Sequence, residues 1–127
     1  MKIEVPVHLA HRLLAGRPTC LLTTRYRGQV HVMTIGWACP ISLEPPLVAI
    51  AIHPASYTHD MLRRSEECVL NIPTRPLLEQ TQVCGTLSGA DHDKLAVTGL
   101  QLETGRRLET PWIQECLAHL ECGVVST

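Results

Sequence analysis

No phenylalanine occurs in this chain, and its aromatic rings are limited to two tryptophans and two tyrosines. A core must therefore come almost wholly from aliphatic side chains and cysteine, and each ring is conspicuous wherever it falls. A strong charge of either sign is missing too. The 11 Lys and Arg against 12 Asp and Glu give a net charge of -1, with no electrostatic reason to expect nucleic acid or an anionic membrane as partner. No apolar run approaches the roughly 18 residues that span a bilayer. The opening MKIEVPVHLAHRLLAG lacks the uninterrupted apolar segment and small-residue cleavage site of a secretory signal, so a cytoplasmic protein is expected. Closely spaced cysteine pairs are also lacking: Cys20, Cys39, Cys68, Cys84, Cys116 and Cys122 are scattered, mostly in apolar segments, and never form C-x-x-C. That spacing argues against a zinc framework or a disulfide scaffold and points to buried free thiols. A nucleophilic Cys39 or Cys84 has no base partner legible from spacing, and the one helical histidine pair, His8 and His11, is read as solvated.

What is present is a single globular domain over 1–127, with 45% apolar and 18% charged residues. His8 to Ala15 has helical spacing and stops at Gly16. The runs CLLTTR (20–25) and QVHVMTIGW (29–37) flank Tyr-Arg-Gly, which predicts a hairpin with Gly28 at a positive-φ turn position. Pro40, Pro45 and Pro46 predict a rigid loop over 40–46 rather than strand. LVAIAI (47–52) reads as a strand buried on both sides. Ser56 is placed to cap a helix of about ten residues, ECVLNIP (67–73) is a further strand, and Thr74 and Gly85 bracket a second helix. A short helix from about Asp91, a hairpin over LQLETGRRLE turning at Gly105, and a last strand over 118–126 complete the pattern. Short strands with interleaved helices predict a mainly β fold, a β-barrel carrying peripheral helices.

Three corners of this pattern suit a ligand. The helix start Ser56-Tyr57-Thr58-His59 offers unpaired backbone N–H groups and hydroxyls that favour an anion. Gly85-Thr86-Leu87-Ser88-Gly89-Ala90-Asp91-His92-Asp93-Lys94 allows close backbone approach at Ser88 and Gly89. It also sets Lys94 near a helix start, where a cation is electrostatically awkward without an anion nearby. The strand end from His31 through Thr34, Gly36 and Trp37 presents a ring and a glycine to a planar heterocycle. Each corner also has an ordinary reading, as helix cap, solvated lysine and core tryptophan.

The run VHVMTIGWACPISLEPPLVAIAIHPASYTHDMLRRSEECVLNIPT, with CGTLSGADHDKLAVTGL and ECLAHLECGVV, resembles the flavin reductase-like, FMN-binding split-barrel family, flavoredoxin type, from about Thr19 onward. The resemblance implies a six-stranded Greek-key split barrel that dimerises, with FMN bound non-covalently near the interface and FAD as the alternative flavin. It implies ring and ribityl contacts from His31, Thr34, Gly36 and Trp37, His31 standing where the family commonly has Asn. It implies phosphate contacts from Ser56 and Thr58, with Tyr57 beside them, and phosphate and ribityl contacts from Ser88, Gly89 and Lys94. Family members usually continue beyond the HLEC strand, so the resemblance also implies a barrel incomplete at the C-terminus unless a partner subunit closes it.

The function implied is an oxidoreductase passing electrons from NAD(P)H or a redox protein through FMN to an acceptor, the chemistry belonging to the cofactor and its positioning to the protein. The competing reading is a split barrel without productive flavin binding, acting as an oligomeric interaction module.

Overall fold

The computed structural model describes Pro6 and residues 18–127. The helix expected over His8–Ala15 and the His8/His11 pair lie outside the described residues. The first hairpin forms as its turn chemistry dictates. Strand β1 (Cys20–Tyr26) pairs antiparallel with β2 (Gln29–Ile35), joined through Arg27 at φ 51° and Gly28 at φ 79°. Two consecutive positive φ values define the tight turn whose twist matches a hairpin, and Gly28 adopts its value without steric cost.

Beyond it come β3 (Ala38–Leu43), β4 (Pro46–Ile50), helix α1 (Tyr57–Ser65), β5 (Glu67–Ile72) and helix α2 (Leu78–Thr86). Helix α3 (Lys94–Thr98), β6 (Leu102–Glu103), β7 (Trp112–Ile113) and β8 (Ala118–Gly123) follow. The strands form a four-stranded sheet in the order β2-β1-β5-β8 and two ribbons, β3-β4 and β6-β7. The expected mainly β architecture with peripheral helices is present, although the described strands do not close into a continuous barrel. No helix among the described residues is long and apolar enough to cross a membrane.

The central sheet is covered on both faces, and side-chain alternation decides which face each residue meets. Leu21 and Val32 join Leu77, Cys84, Leu100, Ile113 and Cys116 in one core. Their neighbours Cys20, Leu22 and Ile35 join Ala38, Cys68 and Leu70 in a second core, against which Ile50, Leu62 and Cys122 pack. The ring-poor composition is thus met with aliphatic and thiol side chains. Full burial of one such residue as large as Leu22 contributes about 1.5–3 kcal/mol.

Five sequence expectations are corrected. The segment 40–46 is not a loop: Pro40 pairs with Val48 inside β3, and the register shifts between Pro40 and Ser42. A two-stranded ribbon has free edges and tolerates a missing N–H, which a central strand does not. For the same reason 47–52 is not buried on both sides; Val48 and Ala49 are exposed. Thr74 makes no side-chain cap bond and precedes a 3-10 turn, Arg75–Leu77, whereas α2 runs through Gly85 to Thr86. Gly85 serves packing rather than termination, because a Cβ there would sit 3.2 Å from the Thr34 Cβ. Finally, the return strand of the late hairpin lies at Trp112–Ile113, not directly after Gly105. The intervening loop is held by Glu121, whose carboxylate accepts from the backbone N–H groups of Arg107 and Leu108. Of the six thiols, Cys39 is exposed and Cys122 half-buried, so burial holds for the other four.

Candidate functional site

β2 is an edge strand of the central sheet, so its outer side carries backbone groups that no described strand pairs. Against that side lies a cleft of about 570 Å³, lined by Gly28–Val32, by Gly89–Leu95 and by Leu102. This size lies within the range of small-molecule sites, about 300–1,000 Å³.

Three distant parts of the sequence converge at His31 and Gly89, two of its lining residues. The His31 and Tyr57 rings meet edge-to-face with centroids 4.6 Å apart. Gly89 closes the corner: a Cβ on it would lie 3.1 Å from Tyr57 Cδ1 and 3.2 Å from His31 Nδ1. The position is filled to its limit by glycine, so the backbone of the 88–89 turn approaches both rings directly. His31 lines the cleft, and its Nε2 is buried with no hydrogen-bond partner among the described residues.

Lys94 is buried and donates from Nζ to the Cys84 carbonyl at 2.7 Å, near the C-terminal end of α2. The awkward lysine therefore has a structural partner, since a cation at a helix C-terminus is favourable. That bond occupies one of three ammonium donors. Burial holds Lys94 below its ordinary value, with neighbouring Cys84 acting in the opposite direction. The helix it begins is capped by Asp93, which accepts from Ala96 N at 3.2 Å, so the cap lies two residues beyond the expected start.

Other predicted residues are engaged or stand apart. Thr34 donates its hydroxyl to the Thr81 carbonyl at 2.5 Å and packs on Gly85. Ser56 caps α1, accepting from His59 N at 3.1 Å, and Thr58 is buried in the first turn. Ser88 is exposed, and its hydroxyl accepts from Ala90 N at 3.2 Å. Gly36 and Trp37 lie in the β2–β3 connection outside the cleft wall, with Trp37 56% exposed. The cleft also uses Gln29 and Val30, which are not among the expected site residues. The polar/apolar alternation of Gln29-Val30-His31 is the signal that marks them.

Burial first, and then the Lys94 charge, push His31 below its usual value of 6.5, with Asp93 opposing. Burial also lowers His119. A histidine whose folded value is lowered leaves the unfolded chain to take the proton first. Its contribution is thus present at neutral pH and is lost as pH falls through about 6.5 toward the lowered value. The urea midpoint is expected to drop between about pH 7.5 and pH 5.5, and to drop less in His31→Asn. An equal drop in both proteins would remove His31 from this account.

The chain is 40% identical over 95 residues to an uncharacterised protein of Archaeoglobus fulgidus, covering 75% of this chain and 54% of that one. Among solved structures it is similar to flavoredoxin of Desulfovibrio vulgaris, at 26% identity and a TM-score of 0.88, covering 99% and 68% of the two chains. It is also similar to an FMN-binding domain of a flavin reductase-like enzyme from Shewanella baltica, at 29% identity and a TM-score of 0.84, covering 97% and 65%. The chain thus spans about half the length of the curated relative and about two thirds of these solved chains. The shared fold is the flavin reductase-like split barrel. A family model for the flavin reductase like domain matches residues 12–127, nearly the whole chain, and the protein belongs to that family.

Proposed function

We propose that the cleft along β2 binds FMN non-covalently and that the protein passes electrons through it, from NAD(P)H or a redox protein to an acceptor. One observation carries this reading: His31, Gly89 and Lys94, from separate parts of the sequence, line one cleft beside an edge strand, and Tyr57 packs behind His31 and Gly89. A flat heterocycle with alternating donors and acceptors along its rim matches an edge strand, which offers N–H and C=O groups in alternation. The remaining Lys94 donors supply charge for a phosphate. FMN, when bound, supplies the capacity to accept a hydride and release single electrons. The chain's own residues bind, orient and set the polarity at the ring's rim.

The test is a titration with FMN followed by tryptophan fluorescence and by the flavin absorption band. Saturable one-to-one binding is expected, and no binding would sink the reading in favour of an interaction module. Gly89→Ala is expected to weaken FMN about ten-fold, because a 1.4 kcal/mol loss is reached once the His31 and Tyr57 rings must give way. Unchanged affinity would take the Gly89 corner out of the site.

A second copy of this chain is the partner proposed for the β3–β4 ribbon. Trp37 is 56%, Ile41 61% and Leu43 92% exposed, a concentration of apolar surface that an isolated ribbon leaves in water. Packing of two ribbons would bury Trp37 and bring it toward a flavin site near the interface. Sedimentation is expected to give a dimer that Leu43→Glu dissociates; a monomeric wild type would refute it. A cytoplasmic location belongs to the same reading.

A further inference from the structure

We propose that Cys68 and Cys122 form an oxidation-responsive dithiol that closes to an intrachain disulfide when a hydroperoxide reaches Cys122. The proposal stands independently of the flavin reading. The two residues lie directly opposite one another on β5 and β8, and both face the second core. The Val124 N–H bonds the Glu66 carbonyl at 2.8 Å, so residues 66 and 124 form a hydrogen-bonded pair. Cys68 and Cys122, two positions along each strand, form the next such pair.

The Cα atoms of such a pair lie about 5.5 Å apart, inside the window of about 4.4–6.8 Å for disulfides. Their Cβ atoms lie about 4.5–5.5 Å apart, wider than the roughly 3.8 Å of a relaxed bridge. Closure must therefore draw the strands together. β8 permits this because it is an edge strand, with no described strand on its far side. A bridge under such tension is readily reduced, which suits a reversible modification rather than a structural staple.

The two sulfurs differ in the way that disulfide chemistry requires. Cys68 is buried, whereas Cys122 is half-exposed. A hydrogen bond from Cys68 holds Cys122 down at about 7, burial opposing. The same bond, together with burial, drives Cys68 upward. The Cys122 thiol also lies 3.5 Å from the Leu120 carbonyl, to which it donates when neutral. Cys122 is thus the attacking thiolate and Cys68 the resolving thiol. In the first step the Cys122 sulfur bonds to one peroxide oxygen, the O–O bond breaks, and the departing hydroxide takes up a proton to leave as water. In the second, the Cys68 sulfur bonds to the Cys122 sulfur, the S–O bond breaks, and the oxygen leaves as water with the Cys68 proton. Two thiols and one hydrogen peroxide give one disulfide and two waters.

Cys20 and Cys116 also lie near each other, but both are buried and neither presents a sulfur to begin the reaction. The experiment treats the reduced chain with hydrogen peroxide, alkylates it in denaturant, and maps the peptides without reduction. Four alkylated cysteines instead of six are expected, with one linked peptide joining Cys68 to Cys122 and full recovery of six after dithiothreitol. Cys122→Ser, at a half-exposed position, is expected to slow thiol loss at least ten-fold. In Cys68→Ser, Cys122 should stop at a sulfenic acid trapped by dimedone. Retention of all six thiols, a bridge between Cys20 and Cys116, or a disulfide only between chains would each overturn the proposal; the wild-type peptide map decides even if Cys68→Ser does not fold.

Discussion

Replacing Asn71 with alanine is expected to destabilise the protein by about 3–5 kcal/mol, the largest effect of any single polar truncation in this fold. Asn71 is fully buried in β5. Its amide nitrogen donates to the Leu21 carbonyl at 2.9 Å, to Thr23 Oγ1 at 3.2 Å and to the Val69 carbonyl at 3.3 Å. Its oxygen accepts from Ile113 N at 2.9 Å and lies 2.9 Å from His119 Nδ1. One side chain thus ties β1, β5, β7 and β8 together. Truncation leaves the Ile113 N–H buried without its acceptor and opens a cavity, and these costs add. Chemical denaturation measures it: a loss under about 1 kcal/mol would mean that water replaces the amide. Asn71→Asp should not rescue, because a carboxylate cannot donate to Leu21 and Thr23.

The second large effect is expected at Lys94. Lys94→Met keeps the apolar stem and removes the ammonium. FMN affinity is expected to fall about 10- to 100-fold, as loss of a charge-assisted contact of about 1.5–3 kcal/mol implies. Stability without FMN should change by no more than about 2 kcal/mol, because relief from burying a charge offsets the lost bond to the Cys84 carbonyl. The two readouts separate the roles. A stability loss with unchanged FMN affinity would make Lys94 a clamp on the end of α2 and nothing more. The residual affinity should also depend less on salt than in the wild type.

These residues show what sequence reasoning reaches. The Tyr-Arg-Gly turn, the Ser56 cap and the strands over 20–25 and 67–73 were legible because each rests on local chemistry: a positive φ, a hydroxyl facing an orphan N–H, an alternating or continuous apolar run. The β3–β4 ribbon was not, because proline's exclusion applies to central strands, and the edge position of β3 depends on the whole topology. In the site, the convergence of His31, Tyr57 and Gly89 was hidden from any local pattern, since it depends on α1 and the 88–89 turn meeting over β2. Lys94 was noticed for its charge at a helix start; its partner on α2 is a packing fact. No local pattern marks Asn71, because its partners on β1, β7 and β8 are brought to it by the topology.

The double coverage of the central sheet carries a further consequence. Where one face of a sheet is wet, a one-residue slip of a strand throws its apolar set into water and is rejected on that ground. Here a slip of β1 would exchange Leu21 with Leu22 between two cores that are both aliphatic, so hydrophobicity alone barely distinguishes the alternatives. The distinction falls to polar groups that accept a single address. Thr23 reaches the Pro111 carbonyl at 2.8 Å, Thr24 reaches the Glu67 carbonyl at 3.0 Å, and Asn71 reads the strand beside it. In this sheet the buried hydroxyls and amide act as a locating key, and the aliphatic residues supply cohesion without choosing the alignment.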